Sequence, residues 1–517
     1  MQVGWLRRNA VSPPAGGRIE WSIITPTLSA SRTIWTLGLL TATIGAAAAI
    51  HFGWLDLTLS HYDARGHLVV ARRVFDNLTP GWMQLGAVWL PLPHVLNAVP
   101  AQLDWAYQTG AFGVVLSIAF MASGLAAIGG FLVRYTGSSA VGVCLPLAVL
   151  LNPNVLYLQS TPMTEPMLFG LACLALVGVD AWLTDGAKRH TRLAGCALAA
   201  LVLTRYEGWC IAGALGGLAI FARPKDAPRL LLYPGVAILA FLLLSYGSTG
   251  RWFVTGGFFE ATNPALGDPW RAWTQILEGT ERLSDPWIVR IGLAGGLGVL
   301  ATAWWARRDG RAQVARALLP LSLAAAAALP LYAFTSGHPV RIRYMVSVVV
   351  ALLILSAGLL RWLPRRMQST AAVGMLALAL WSAHPLDPDA PMVREAQWER
   401  PYSDARRAVT AALAARWDGT PVLASMGSLA HYMQQMSRDG FSLRDFVHEG
   451  NGELWHRAQA TPAVYVRWIL IEESAEGGDV LAHRARESDE FLSGFTRVMD
   501  GGGVALYHRQ SGNLEGR

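Results

Sequence analysis

Residues 33–50 read Thr-Ile-Trp-Thr-Leu-Gly-Leu-Leu-Thr-Ala-Thr-Ile-Gly-Ala-Ala-Ala-Ala-Ile, without one charged side chain. A helix rises about 1.5 Å per residue, so roughly 20 apolar residues cross a bilayer core. Residues 33–50 are close to that length, and they are the first of a series. Comparable runs follow at 109–133, 138–158, 165–183, 229–247, 288–306, 314–334, 340–360 and 368–384. Residues 193–222 are apolar apart from Thr204, Arg205, Tyr206 and Glu207 near their middle, which predicts two short spans joined by a tight polar turn. The expected fold class is an α-helical polytopic membrane protein with about eleven transmembrane helices. Charged residues make up 15% of the chain, against about 25% in soluble proteins, and the deficit falls on 33–384.

The flanks divide the chain further. Residues 1–32 are polar and read as a cytoplasmic segment, with 33–50 as an uncleaved anchor. Residues 249–287, with Pro264, Pro269 and Pro286, read as a long loop. After Pro385 charges run throughout and no apolar run is long enough to span, so 385–517 is expected to be a soluble α/β domain. Within it, Ala405–Trp417 has helical spacing, Pro421–Ser425 and Ala463–Glu472 read as strands, and Val504–His508 reads as an edge strand after the Gly501–Gly503 turn. Ser425-Met-Gly-Ser428 reads as a structural turn. Cys144, Cys173, Cys196 and Cys210 fall in predicted spans, lack metal spacing and read as small core residues.

Basic residues near short loops set the orientation of such a chain. With the N-terminus in the cytoplasm, Arg7, Arg8, Arg18 and Arg32 lie there. So do Arg134, the Lys188/Arg189/Arg192 and Arg223/Lys225/Arg229 groups, the arginines between 307 and 316, and Arg361, Arg365 and Arg366. The opposite side carries only Arg205, Arg341 and Arg343 in its short loops. The net charge of +7 is then a topological signal and calls for no nucleic-acid partner. An odd number of crossings puts the net acidic tail outside. In the first outer loop, 51–108, Ala64–Leu78 alternates Leu68, Val69, Val70, Val74 and Phe75 with charged residues, the pattern of an interfacial amphipathic helix. Pro91–Trp105 is a candidate for a second, and Trp54, Trp82, Trp89 and Trp105 suit the headgroup zone.

Under this topology one rim collects the chemistry. Asp56 and Asp63 follow the first span, and Glu165 lies in Gln159-Ser-Thr-Pro-Met-Thr-Glu-Pro166. Arg205 and Glu207 lie in Leu203-Thr-Arg-Tyr-Glu-Gly-Trp209, and Glu260, Asp268, His338, Arg341, Arg343 and Tyr344 end later spans. Acids that can take a proton from a hydroxyl, beside arginines that can hold a phosphate, make a coherent set. Each residue also has a plainer reading. Asp63 and Glu165 can serve the helix dipole, Arg205 with Glu207 can close a hairpin, and Arg341 and Arg343 can anchor at the interface. His67 and His94 read as structural rather than catalytic.

The segment His61-Tyr-Asp-Ala-Arg-Gly-His-Leu68, directly after the first span, resembles the signature of the multi-spanning GT-C glycosyltransferases, which include protein O-mannosyltransferases and lipid A aminoarabinose transferases. Trp89-Leu-Pro-Leu-Pro-His94, Ser160–Pro166 and Thr204–Trp209 resemble further motifs of bacterial members. One departure stands out: relatives often pair two acids in the first loop, but Ala64 follows Asp63 here. The resemblance implies transfer of a sugar from a polyprenyl-phosphate carrier in the membrane to a hydroxyl of a glycan, lipid or protein acceptor, outside the cytoplasm of a bacterial inner membrane. It implies a single inverting displacement with Asp63 as general base and Glu165 as the second catalytic candidate. Arg205, Arg341 or Arg343 would stabilise the leaving phosphate. Glu207, His67, His94 and Tyr344 complete the candidate substrate contacts. No metal site is assigned; no cofactor or a divalent cation both fit the resemblance. Rival readings are a lipid transporter or flippase, an O-antigen-type ligase or polymerase, and a non-catalytic scaffold.

Overall fold

The computed structural model describes residues 28–254, 263–475 and 478–509. The expected cytoplasmic Arg7, Arg8 and Arg18, and the rim acid Glu260, lie outside the described residues. The chain is mainly helical. Among the described residues, seven helices are long and apolar enough to cross a membrane: Ser31–Trp54, Ala111–Thr136, Glu165–Asp185, Ala227–Thr249, Pro286–Asp309, Arg311–Thr335 and Ile342–Leu360. An eighth apolar unit is broken. Ser139–Leu150 and Pro153–Gln159 meet at a bend of 73°. Asn152 makes this corner, because its carboxamide caps the second helix from the amides of Asn154 and Val155 while Pro153 occupies the first turn. Three further expected crossings fall on shorter or more polar helices. Lys188–Val202 and Tyr206–Ala222 form the anticipated hairpin around Arg205, and Arg365–Ser382 begins with a basic turn.

Small residues let the helices approach closely. Along Pro286–Ala306, glycines at 292, 295 and 298 face the segment 352–359, and a Cβ on Gly295 would lie 2.2 Å from the Leu355 carbonyl oxygen. Backbone sits on backbone there, so no side-chain rotation relieves a clash. Gly295→Val is therefore expected to lower stability by about 1–3 kcal/mol or more, as overpacking does. Thermal unfolding of the detergent-solubilised variant checks this; an unchanged midpoint would contradict the close crossing.

The segment 51–108, expected as the first outer loop, is more buried than its pattern predicts. Helix α1 (Leu28–Trp54) ends where Asp56 takes a left-handed backbone with φ of 56°, and helix α2 (Tyr62–Arg72) starts at His61. The His61 ring accepts the Asp63 amide at 3.1 Å and caps α2. The expected helix 64–78 thus starts two residues earlier and ends at Arg72. Its charged face is covered rather than open, because α2 packs between helix α3 (Leu92–Ala98) and the C-terminal helix Met426–Met436. Gly66 is needed at this crossing, since a Cβ would come within 2.9 Å of the Trp89 ring.

The C-terminal segment carries a five-stranded sheet of order β2-β1-β3-β5-β4. Its strands are β1 Val422–Ala424, β2 Phe446–Val447, β3 Trp468–Glu472, β4 Phe495–Gly501 and β5 Val504–Arg509. Strands β1, β2 and β3 are parallel, and β5 runs antiparallel to both β3 and β4. Two sequence expectations change here. Val504–His508 is not an edge: buried Val504, Ala505 and Leu506 put β5 inside the sheet, with the largely exposed β4 outside it. The strand expected over 463–472 starts at Trp468, because Pro462 opens a short helix to Tyr465 first. The glycine turn is a two-residue hairpin loop: Gly502 and Gly503 both have positive φ, as a twist-compatible turn requires. Ser425-Met-Gly-Ser428 starts the helix Met426–Met436, where the Glu449 carboxylate accepts the Met426 amide at 2.7 Å.

Candidate functional site

Two buried charge groups meet where the segment 51–108 packs on the helical bundle. The first is Asp63 with Arg343. Asp63 lies in the first turn of α2, and Arg343 lies on the short 3₁₀ turn Ile342–Met345 that leads into Val346–Leu355. They form an ion pair although 280 residues separate them. Asp63 is 6% exposed and Arg343 9%, so water screens the pair little. Burial pushes the Asp63 carboxyl up, but the Arg343 guanidinium more than offsets this and holds it below the usual carboxylate range. Asp63 is therefore ionised at neutral pH.

The second group is centred on Arg205. Its backbone is extended at the start of Tyr206–Ala222. Its guanidinium reaches Glu165 at 2.9 Å and Glu207 at 2.9 Å, and donates to the Thr164 hydroxyl at 3.0 Å. Glu165 stands in the first turn before Pro166, as the plainer reading required, yet it is also almost fully buried. One arginine between two carboxylates links the N-terminal ends of two helices. The groups adjoin: the charge of Glu165 acts on Arg343, and those of Asp63, Arg205 and Arg343 act on His67.

His67 lies one turn beyond Asp63 on α2, and its Nδ1 is 3.0 Å from Nε2 of His94 on α3. Both rings lean on Trp89. Burial brings His94 down to about 3 and takes His67 well below its ordinary range, so the two are neutral and one ring donates to the other. Tyr344 joins the group only through its neighbour: its ring centre is 5.7 Å from the Arg343 guanidinium and 5.7 Å from the His338 ring. Arg341 opens the 3₁₀ turn, where its charge acts on Tyr62 and Glu395. Asp268 is a helix cap, accepting the Arg271 amide at 3.0 Å.

The structure adds residues that were not among the sequence candidates, two of them, Tyr62 and Thr164, within the motifs quoted above. Glu395, on the helix Pro391–Ala396, meets the His61 ring at 3.4 Å. Tyr62 is next to Asp63, and burial with the adjacent carboxylate pushes its phenol up. Thr164 is the neutral partner of Arg205. Glu395 lies in a polar stretch beyond the last apolar run, with nothing in its surroundings to separate it from other tail acids. Among the described residues, no three His, Cys, Asp or Glu side chains converge in a group that would hold a metal ion.

No protein-family model matches the chain, and no curated protein matches it in sequence. Solved structures do resemble it. The crystal structure of ArnT from Cupriavidus metallidurans bound to undecaprenyl phosphate superposes with a TM-score of 0.53 at 14% identity, covering 92% of this chain and 99% of that one. The apo form of the same protein gives a TM-score of 0.51 at 15% identity, over 92% and 98% of the two chains. The similarity covers most of both chains, and with it this chain shares the GT-C fold of ArnT.

Proposed function

We propose that this protein is a membrane glycosyltransferase that moves a sugar from a polyprenyl-phosphate carrier to an acceptor hydroxyl, inverting the anomeric centre, with Asp63 as general base. The observation that carries the reading is the buried Asp63–Arg343 pair beside the Glu165–Arg205–Glu207 group. It occurs in a fold shared with a protein whose structure holds undecaprenyl phosphate. An arginine already shared with a carboxylate suits a leaving phosphate. When the donor phosphate takes part of Arg343's hydrogen bonding, Asp63 loses part of its counter-charge and becomes a stronger base.

In the proposed step the acceptor oxygen gives its proton to Asp63 and bonds to the anomeric carbon. The carbon–oxygen bond to phosphate breaks through an oxocarbenium-like transition state, and the polyprenyl phosphate leaves with one more negative charge. Arg343, Arg205 and Arg341 are the candidates to hold that charge. Glu165 and Glu207 orient Arg205, and the His67–His94 pair and Tyr344 line the same region. The proposed topology has about eleven crossings with the N-terminus in the cytoplasm of a bacterial inner membrane. The first outer loop then lies at the interface, and residues 385–517 form a domain outside; the arginine distribution supports this. The acceptor is a glycan, lipid or protein bearing a free hydroxyl.

The test is transfer in proteoliposomes from labelled polyprenyl-phosphate sugars to extracted envelope acceptors. Label reaching an acceptor, with the new linkage of opposite anomeric configuration, is the expected result. Movement of the labelled lipid across the bilayer without any new glycosidic bond would replace the transferase with a flippase.

A further inference from the structure

Asp63 and His67 share one face of α2. Arg65, two residues from Asp63, points about 200° round the helix. On that side lies a separate cavity of about 170 Å³ between the first outer loop and the C-terminal segment. Five arginines line it, Arg65, Arg400, Arg406, Arg407 and Arg438, against the carboxylates of Asp56 and Glu399. The acids do not balance them. Glu399 is taken by Arg406 at 3.4 Å and by the His431 ring at 2.8 Å, and Arg407 pairs with Asp404 at 2.9 Å.

The other three arginines have only neutral acceptors. Arg65 donates to Oε1 of Gln435 at 3.3 Å, Arg400 to Oε1 of Gln397 at 2.9 Å, and Arg438 to the Gln108 carbonyl at 3.4 Å. Among the described residues none of the three forms an ion pair. Arg65 is the telling one, because it is half-buried. Burial pulls it below the usual arginine range; Glu399 and Asp56 restore part of this, while Arg438 and Arg406 oppose them. Bringing several guanidinium groups together around an open space costs free energy, and an anion with several oxygens removes that cost through charge-assisted hydrogen bonds.

We propose that this cavity is a second anion site, separate from the Asp63–Arg343 centre, that holds a phosphate group against Arg65, Arg400 and Arg438. Asp56, Leu59 and Ser60 in its lining follow directly on the end of apolar α1, so the phosphate belongs either to a lipid headgroup or to a soluble molecule. The site ties α2 to the C-terminal segment, since Arg65 comes from the former and the other two from the latter.

The test measures binding, so it stands whether or not the transfer reaction is the correct one. Full-length protein in phosphatidylcholine nanodiscs is titrated with inorganic phosphate at constant ionic strength, following the thermal unfolding midpoint. Wild type is expected to show a saturable rise. Arg65→Gln and Arg438→Gln are expected to need about tenfold more phosphate for the same rise. Arg467→Gln, an exposed arginine paired with Asp418 elsewhere, is expected to match wild type. If Arg65→Gln fails to fold, exposed Arg438→Gln carries the comparison. Phosphatidylglycerol in the nanodisc that competes with phosphate in wild type but not in Arg438→Gln identifies a lipid headgroup; no competition identifies a soluble phosphate. Wild type without a saturable rise, or both variants titrating as wild type does, overturns the proposal.

Discussion

Asp63→Asn is expected to lower sugar transfer by roughly 10²- to 10⁴-fold, the usual worth of a positioned general base. The amide keeps the shape of the carboxylate but cannot accept the acceptor's proton. It also leaves buried Arg343 without its counter-ion, and breaking one side of a buried pair costs roughly 3–5 kcal/mol. Activity and stability therefore fall together in the single variant, and a second one separates them. In Asp63→Asn/Arg343→Met neither member of the pair is left as an unpaired charge, so much of the stability returns while transfer stays at the low level of the single variant. Both are read on purified protein, from initial rates in proteoliposomes and from unfolding midpoints at matched insertion. Recovery of transfer in the double variant would make Asp63 a purely structural partner of Arg343. Transfer by Asp63→Asn at the wild-type rate would move the base to another carboxylate, with Glu165 the nearest candidate.

Arg205→Gln is expected to be among the most destabilising single substitutions in the chain. Glu165 and Glu207 are each 2% exposed, and Arg205 is the cation that both contact. Without it two carboxylates share a dry space, and a loss of roughly 3–5 kcal/mol is expected. Arg205→Lys recovers only part, because one ammonium does not fork between two carboxylates. Unfolding midpoints of the three proteins at neutral pH measure this. A midpoint for Arg205→Gln that matches wild type at neutral pH would mean that water reaches the group and screens it.

Much of the fold was legible in one dimension. Apolar runs mark helices that need a hydrocarbon surrounding, and their lengths match a bilayer without reference to any contact. The polar interruption at Thr204–Glu207 marked the hairpin correctly, since charges in the middle of a short apolar stretch can only sit at a turn. The bend at Asn152 was not legible, because 138–158 reads as one run and its break depends on side chains capping their own backbone. The same limit appears in the sheet. A short apolar run and the glycine turn located β1 and β5 but not their order, and β5 proved internal because β4 pairs with it from a segment too polar to read as a strand.

What the sequence by itself determined is composition along a line: which segments avoid water, where turns fall, and which residue types gather towards one rim. Asp63, Glu165, Arg205, Glu207 and Arg343 were all named on that basis. Tertiary structure alone decided who pairs with whom. Nothing local to Asp63 says that its partner is Arg343 rather than Arg205 or Arg341, since the pairing rests on packing between an outer-loop helix and a turn 280 residues away. Likewise α2 looks like a helix half in water, and only the arrival of Met426–Met436 turns its second charged face into the wall of a cavity. Periodicity records which face of a helix differs from the other, but the dielectric each face meets is set by what the rest of the chain lays against it.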